Sequence, residues 1–398
     1  MDIVSPESVG LSSARLARVS QAMSRYVEQG KVAGVVTLIA RHSQIAHFEA
    51  CGVMDLEARQ PMPLDAIFRI YSQTKPITSA AVMMLYEDGC FHLTDPVSRF
   101  IPGFEQAKVF VRETESGVEL ADLEREITIR DLLTHTSGLI YGAPEGSYLN
   151  TLYRERIWGL RERRPDLSLQ EMVQEITHLP LAFQPGSAWR YGLSADVLGY
   201  LVEVVSGMPF EAFLQQRIFG PLGMVDTGFY VPADKLDRFP AAYELAEGGG
   251  IELNDDPRTS RFTKPPRNPS GGAGLVSTTM DSLRFAQMML NRGELDGVRL
   301  LGRKTVELMT MNHLPAGMHP FAHPWWGFGL GVAVLIDLAP YQALGSLGTY
   351  EWGGLPSNEF WVDPQESLIG VLMVQIIPDD AYPIQNDFRT MTYQAIVD

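Results

Sequence analysis

Ile70-Tyr71-Ser72-Gln73-Thr74-Lys75-Pro76 runs directly into an apolar stretch at residues 80–85, and the two together set the reading of the chain. Ser72 and Lys75 stand three apart and the residues after them keep helical spacing, so both fall on one face of a helix's first turn. A hydroxyl then lies beside an amine. An alcohol becomes a useful nucleophile only when something takes its proton, and a desolvated Lys with a pKa of roughly 7–8 can do so. The helix N-terminus adds unpaired N–H groups and a positive dipole end where negative charge would develop. The pair alone is weak evidence: with 24 Ser and 6 Lys in 398 residues, roughly 0.4 such pairs arise by chance. The rest of a site has to come from elsewhere in the chain.

Composition narrows the field. The chain is 45% apolar and 20% charged, as expected of a globular protein long enough for two or three structural units. A net charge of −16 argues against nucleic acid and against anionic membrane as partners, because both require Lys and Arg to meet phosphates. The N-terminus has no basic region followed by an apolar stretch and no run approaches a membrane span, so the expected location is cytoplasmic. Cys51 and Cys90 are too few for a disulfide framework and are expected to be small buried hydrophobes. His313, His319 and His323 have neither helical spacing nor nearby acidic ligands, so no metal is expected, and no cofactor. A homo-oligomer is compatible with the sequence, which does not set the oligomeric state.

Outward from the Ser72 helix, residues 12–29 place Leu16, Val19, Met23, Tyr26 and Val27 on one helical stripe behind the caps Ser12 and Ser13. Residues 34–40 and 45–50 read as a strand hairpin on which His47 faces solvent. Residues 105–127 hold a small solvated hairpin turning at Glu115-Ser116-Gly117. Helices are expected at 129–133, 168–178, 194–206 and 210–219. The segment 154–166 reads as a charged exposed face, and 246–270 as a long loop. From 327 onward the pattern changes to strands, at 328–336, 359–362 and 368–376, with a closing helix at 384–397. Strands at both ends with helices between give an α/β fold: one antiparallel sheet from the two termini, flanked by helices, with an inserted mostly helical domain. The expected limits are 1–70 with 275–398 for the α/β domain and 71–274 for the helical one, leaving a cleft at their junction.

Two further pieces fit such a cleft. Tyr191, behind the turn Pro185-Gly186-Ser187 and ahead of the helix at 194, can shuttle a proton if a nearby ammonium lowers its pKa. Trp352-Gly353-Gly354-Leu355 precedes a strand, and its two glycines permit close backbone approach. The N–H groups of Leu355 and Ser72 could then form an oxyanion hole. Ser194 in Gly192-Leu193-Ser194-Ala195-Asp196 lacks the second glycine of the Gly-x-Ser-x-Gly elbow and is rejected as a nucleophile.

Ser72-Gln73-Thr74-Lys75, His135-Thr136-Ser137-Gly138-Leu139, Tyr191, Gly271-Gly272-Ala273-Gly274-Leu275 and Trp352-Gly353-Gly354 follow one another in the order seen in serine β-lactamase-like proteins. Over roughly residues 10–395 the chain most resembles the family VIII carboxylesterases, which are similar to class C β-lactamases. The resemblance implies a β-lactamase-like fold and an acyl-enzyme on Ser72. It makes Lys75 and Tyr191 the proton-transfer pair, with the division of roles open, and Leu355 the second oxyanion donor. Relatives that bind a substrate carboxylate carry Lys-Thr-Gly where this chain has Trp352-Gly353-Gly354, and Tyr-x-Asn where it has Leu193. Both departures replace polar recognition with apolar surface. The expected activity is hydrolysis of short- to medium-chain carboxylic esters, in a pocket walled by Tyr141, Trp189, Leu193, Trp352, Gly353 and Gly354. The alternatives are an acyltransferase using the same acyl-enzyme with an alcohol acceptor, a residual β-lactamase or D,D-peptidase, and a non-catalytic ligand sensor.

Overall fold

The computed structural model describes residues 2–114, 117–142 and 147–398. Helix α1 (Ser13–Glu28) begins at Ser12, whose hydroxyl accepts from the Arg15 N–H, a cap of the kind that contributes about 1 kcal/mol. Strands β1 (Gly34–Arg41) and β2 (Gln44–Gly52) form the expected hairpin. Five strands near the other end of the chain complete the sheet: β3 (Trp326–Phe328), β4 (Ala333–Leu335), β5 (Tyr350–Gly353), β6 (Glu359–Asp363) and β7 (Leu368–Val374). The order is β3-β4-β5-β6-β7-β1-β2, with β1 pairing β7 and every neighbouring pair antiparallel. The two ends of the chain thus meet in mid-sheet.

Both faces are covered, so the central strands are apolar throughout rather than alternating. Val35, Ile39, Leu368, Leu372 and Val374 belong to an outer core with α1 and α5 (Ile384–Tyr393), while Val36, Leu38, Ile369, Val371 and Met373 belong to the inner, larger core. Helix α4 (Thr279–Leu290) packs on β7 and β6 from the inner side. Gly370 leaves room for the Trp361 indole: a Cβ there would lie 2.2 Å from the ring.

The helix that carries Lys75, α2 (Thr74–Glu87), is buried from Thr74 through Leu85. A helix that is apolar all round belongs in a core, and α2 packs there against α3 (Ser194–Ser206). Pro76 sits in its first turn, where no intrahelical N–H bond is lost. Ser72 lies in a 3-10 turn, Tyr71–Gln73, that leads into α2.

Several expectations fail on tertiary packing. His47 is buried: α1 crosses its face of the hairpin, and its Nε2 lies 2.8 Å from Thr37 Oγ1. Cys90 is exposed, in the turn behind α2, and Cys51 is half-buried. The run 328–336 is not one strand but part of the hairpin β3 and β4, because the chain turns between them at Gly331 with φ +98°. The first part of 246–270 is no plain loop, since Ala242–Leu245 and Ile251–Asp255 pair antiparallel. In 154–166 the charged face is incomplete: Ile157 is buried and Arg161 turns inward to Asp196. Val109–Thr114 and Gly117–Ala121 do pair, whereas the turn residues Glu115 and Ser116 lie outside the described residues. No single described helix is long and apolar enough to cross a membrane.

Candidate active site

Backbone contacts fix Ser72 from both sides. Buried Arg69 reaches Asp255 at 2.5 Å and the Pro240 carbonyl at 2.7 Å, and the Arg69 carbonyl accepts from Asn358 Nδ2 at 2.9 Å. Tyr71 adopts φ +41°, a strained setting for a bulky residue of the kind that gathers at functional sites. It swings the chain from the short strand at Phe68–Arg69 into the turn that presents Ser72.

Lys75 is buried, and its Nζ lies 3.1 Å from Ser72 Oγ and 2.6 Å from the Gly272 carbonyl. Burial pushes the amine down to about 7, and the Asp196 carboxylate pulls the other way. Near neutral pH the amine can therefore donate to Gly272 and still offer its lone pair to Ser72. Gly271 and Gly272 are close-approach positions: a Cβ would lie 2.3 Å from the Ala195 carbonyl in one case and 2.7 Å from Asp196 Oδ2 in the other. The Gly-Gly turn thus wedges between α2 and the start of α3.

Tyr191 lies beside this pair without a completed hydrogen bond. Its hydroxyl is near the Ser72 hydroxyl and the Trp352 indole, yet it is buried and meets no partner in bonding geometry among the described residues. Lys75 Nζ sits over the ring face, 4.5 Å from the centroid. Burial raises the Tyr191 pKa, and the two neighbouring groups only oppose that rise. The expectation of a lowered phenol fails because the amine is itself desolvated and faces the ring rather than the hydroxyl.

Gly354, directly after β5, lies against the chain just before Ser72: a Cβ there would lie 2.4 Å from the Ile70 carbonyl, whereas at Gly353 the nearest atom is 3.3 Å away. Only the second glycine is sterically required. Next to it, the Leu355 N–H has no acceptor among the described residues. Trp352 is buried, and its Nε1 is unpartnered among them too. Trp189 packs parallel to Tyr191 at 6.3 Å, and Tyr141 packs edge-on to Tyr191 at 5.3 Å. Leu193 stands apart: it is buried in the core at the head of α3. The three histidines of 313–323 do not converge. Among the described residues no group of three His, Cys, Asp or Glu could hold a metal ion, and His313 and His319 instead lie 2.8 and 3.2 Å from the carbonyls of Leu308 and Trp326.

Three residues gain their place at the site only through the fold, His135 among them although it opens the His135–Leu139 motif. Asp196, buried in the first turn of α3, accepts from Ser270 Oγ at 2.5 Å and lies 3.7 Å from Arg161. An acidic residue in the first turn of a mostly apolar helix is its only sequence signal. His135, at φ +55°, packs edge-on to Tyr191 at 5.0 Å, and burial followed by the Lys75 charge pushes it down to about 3. Its carbonyl accepts the Arg190 N–H at 3.0 Å, so the His135 turn backs the Tyr191 loop. Phe321 packs on Trp189, Tyr191 and Trp352 and carries no periodic signal at all.

Comparison with known proteins gives the family. A profile of the Beta-lactamase family matches residues 19–390. An uncharacterized protein of Mycobacterium tuberculosis is 37% identical over 372 residues, covering 90% of each chain. Esterase EstB of Burkholderia gladioli is 34% identical over 380 residues, again covering 90% of each. The solved structure of EstCE1, described as a hydrolase with promiscuous acyltransferase activity, superposes with a TM-score of 0.79 at 29% identity, covering 96% of this chain and 99% of that one. The chain belongs to the beta-lactamase family, as an esterase-like serine hydrolase of that fold.

Proposed function

We propose that the chain is a carboxylesterase for short- to medium-chain esters that works through an acyl-enzyme on Ser72. The observation that carries the reading is the buried Lys75 amine, 3.1 Å from Ser72 Oγ and pushed down to about 7. Neutral Lys75 takes the Ser72 proton as Oγ bonds to the ester carbonyl carbon, and the oxyanion is received by the N–H groups of Ser72 and Leu355. Tyr191, kept protonated by burial, gives its proton to the departing alcohol as the C–O bond breaks. The Lys75 ammonium then returns a proton to the phenolate. Water attacks the acyl carbon as it loses a proton to Lys75, and that proton passes to Ser72 Oγ as the acyl C–Oγ bond breaks, releasing the acid and restoring Ser72 and neutral Lys75. This divides the roles: Lys75 is the base and Tyr191 the acid. The same reading takes 1–70 with 275–398 as one unit and 71–274 as the other, with the site at their junction.

The test is hydrolysis of p-nitrophenyl esters from acetate to octanoate by wild type and Ser72→Ala, with mass spectrometry of the intact protein. The expected result is turnover of the shorter esters, an acyl adduct on the wild type, and a loss of about 10³-fold or more with no adduct in the variant. Wild-type rates in Ser72→Ala would overturn the mechanism. One observation favours a second reading, acyl transfer: EstCE1, similar over nearly its whole length, is described as having promiscuous acyltransferase activity. Ester product formed from an added alcohol acceptor, at the expense of free acid, distinguishes it.

A further inference from the structure

The carbonyl that holds the Lys75 amine belongs to the turn 270–275, and that turn is fastened on two sides. Toward α2, Thr78 Oγ1 donates to the Gly271 carbonyl at 2.8 Å and the Leu275 N–H donates to Thr74 Oγ1 at 3.1 Å. Both threonines stand on the helix that carries Lys75. Toward α3, Ser270 Oγ donates to Asp196 Oδ1 at 2.5 Å.

Ser270 is the hub of the turn. Its buried hydroxyl also accepts from the Gly272 N–H at 3.3 Å and from the Ala273 N–H at 3.1 Å. A serine hydroxyl has one proton and two lone pairs, and all three are engaged here. The Ala273 N–H and the Gly272 carbonyl belong to one peptide unit, which is planar and trans, so its N–H and C=O point in opposite directions. Holding the N–H end at Ser270 aims the carbonyl end at Lys75 Nζ, 2.6 Å away. The preceding peptide is pinned in the same way, by Thr78 at the Gly271 carbonyl and by Ser270 at the Gly272 N–H. Glycines at 271 and 272 restrict the backbone least of all residues, so these bonds, and not the side chains, set where the carbonyl points.

We infer that Ser270, anchored on Asp196, is a positioning residue for Lys75: it holds the Gly272 peptide so that the carbonyl engages one amine N–H and leaves the lone pair facing Ser72 Oγ. Ser270 has no hydrogen bond to Ser72 or Lys75 among the described residues, so its effect passes through that peptide. The inference rests on the acyl-enzyme reading, in which Lys75 is the base, and adds to it what aims the base.

The experiment measures kcat and KM for p-nitrophenyl butyrate with wild type, Ser270→Ala and Ser270→Thr, and with Ser72→Ala as the control. Ser270→Ala is expected to lower kcat about thirtyfold, since a small misplacement of a reacting group is costly, and to leave KM within twofold. Lys75 serves acylation and deacylation alike, so both steps slow together and KM holds. Ser270→Thr, which keeps the hydroxyl, should recover most of kcat. A kcat for Ser270→Ala within threefold of wild type, in hydrolysis that still depends on Ser72, overturns the inference and leaves the esterase reading standing. Hydrolysis that does not depend on Ser72 overturns the esterase reading instead. Should Ser270→Ala fail to fold, Thr78→Val carries the test, because it frees the other end of the same turn: a fall in kcat of about fivefold at constant KM supports the inference, and an unchanged kcat overturns it.

Discussion

Lys75, on the inner side of the sheet, and Arg389, on the outer side, are both almost wholly buried, yet their surroundings differ. Arg389, on α5, holds two carboxylates directly, Glu351 on β5 and Glu359 on β6, and lies over the Trp361 ring at 4.9 Å. Tyr341 adds its hydroxyl at 2.8 Å. The polar contacts of Lys75 are a carbonyl and a hydroxyl, and the nearest helpful anion, Asp196, acts on it only through the field. Saturation holds the Arg389 charge far above neutrality, while starvation brings the Lys75 charge to the edge of titration. A cation that fastens a helix to a sheet is given more anions than it needs. Under the proposed mechanism, a cation that has to give up its proton is given fewer.

Breaking the saturated side should show as lost stability. Arg389→Ala leaves two carboxylates buried without a counter-charge, a loss expected to cost about 3–5 kcal/mol. Urea denaturation of wild type and variant measures it, and a loss below about 1 kcal/mol would mean that the cluster is not what ties α5 down.

On the starved side, kcat/KM for an uncharged ester should rise with pH and level off around an inflection near 7, where Lys75 loses its proton. Asp196 stabilises the ammonium, so Asp196→Asn should move that inflection to lower pH, by about one unit. Asn keeps the acceptor for Ser270. An inflection that stays in place, or moves up, would break the contrast between the two clusters.

The smallest effect is expected at Glu351. Burial raises its pKa above the ordinary 4.5, Glu359 adds to the rise, and Arg389 opposes it. The folded protein therefore holds this proton to higher pH than the unfolded chain does, and stability is lost as pH climbs from about 4.5 through the folded value. Glu351→Gln removes that slope. Its stability relative to wild type should improve from about pH 5 to pH 8, read from melting temperatures across the range.

Ser72, Lys75 and Tyr191 are legible in the sequence as residue types, because a hydroxyl and an amine three apart, and a Tyr at the mouth of a helix, are local features. So are α1, the β1 and β2 hairpin, and the strands at 359–363 and 368–374, whose apolar runs follow from burial on one or both faces. The surroundings of His47, Cys90 and Arg161 are not, since each depends on what a distant segment lays over it. Helix α1 covers His47, the turn behind α2 leaves Cys90 exposed, and Asp196 draws Arg161 inward.

The sequence by itself determined the element order, the joining of the two ends in one sheet, and the chemistry offered at Ser72. It could do so because helical and strand periods, caps and turn residues act within a few positions. Only the tertiary structure decided that the Gly272 carbonyl accepts a hydrogen bond from Lys75, that Tyr191 presents its ring face rather than its hydroxyl to the amine, and that Phe321 packs on Trp189, Tyr191 and Trp352. These are contacts between segments far apart in the chain, and their outcome depends on packing and desolvation, which no local pattern encodes.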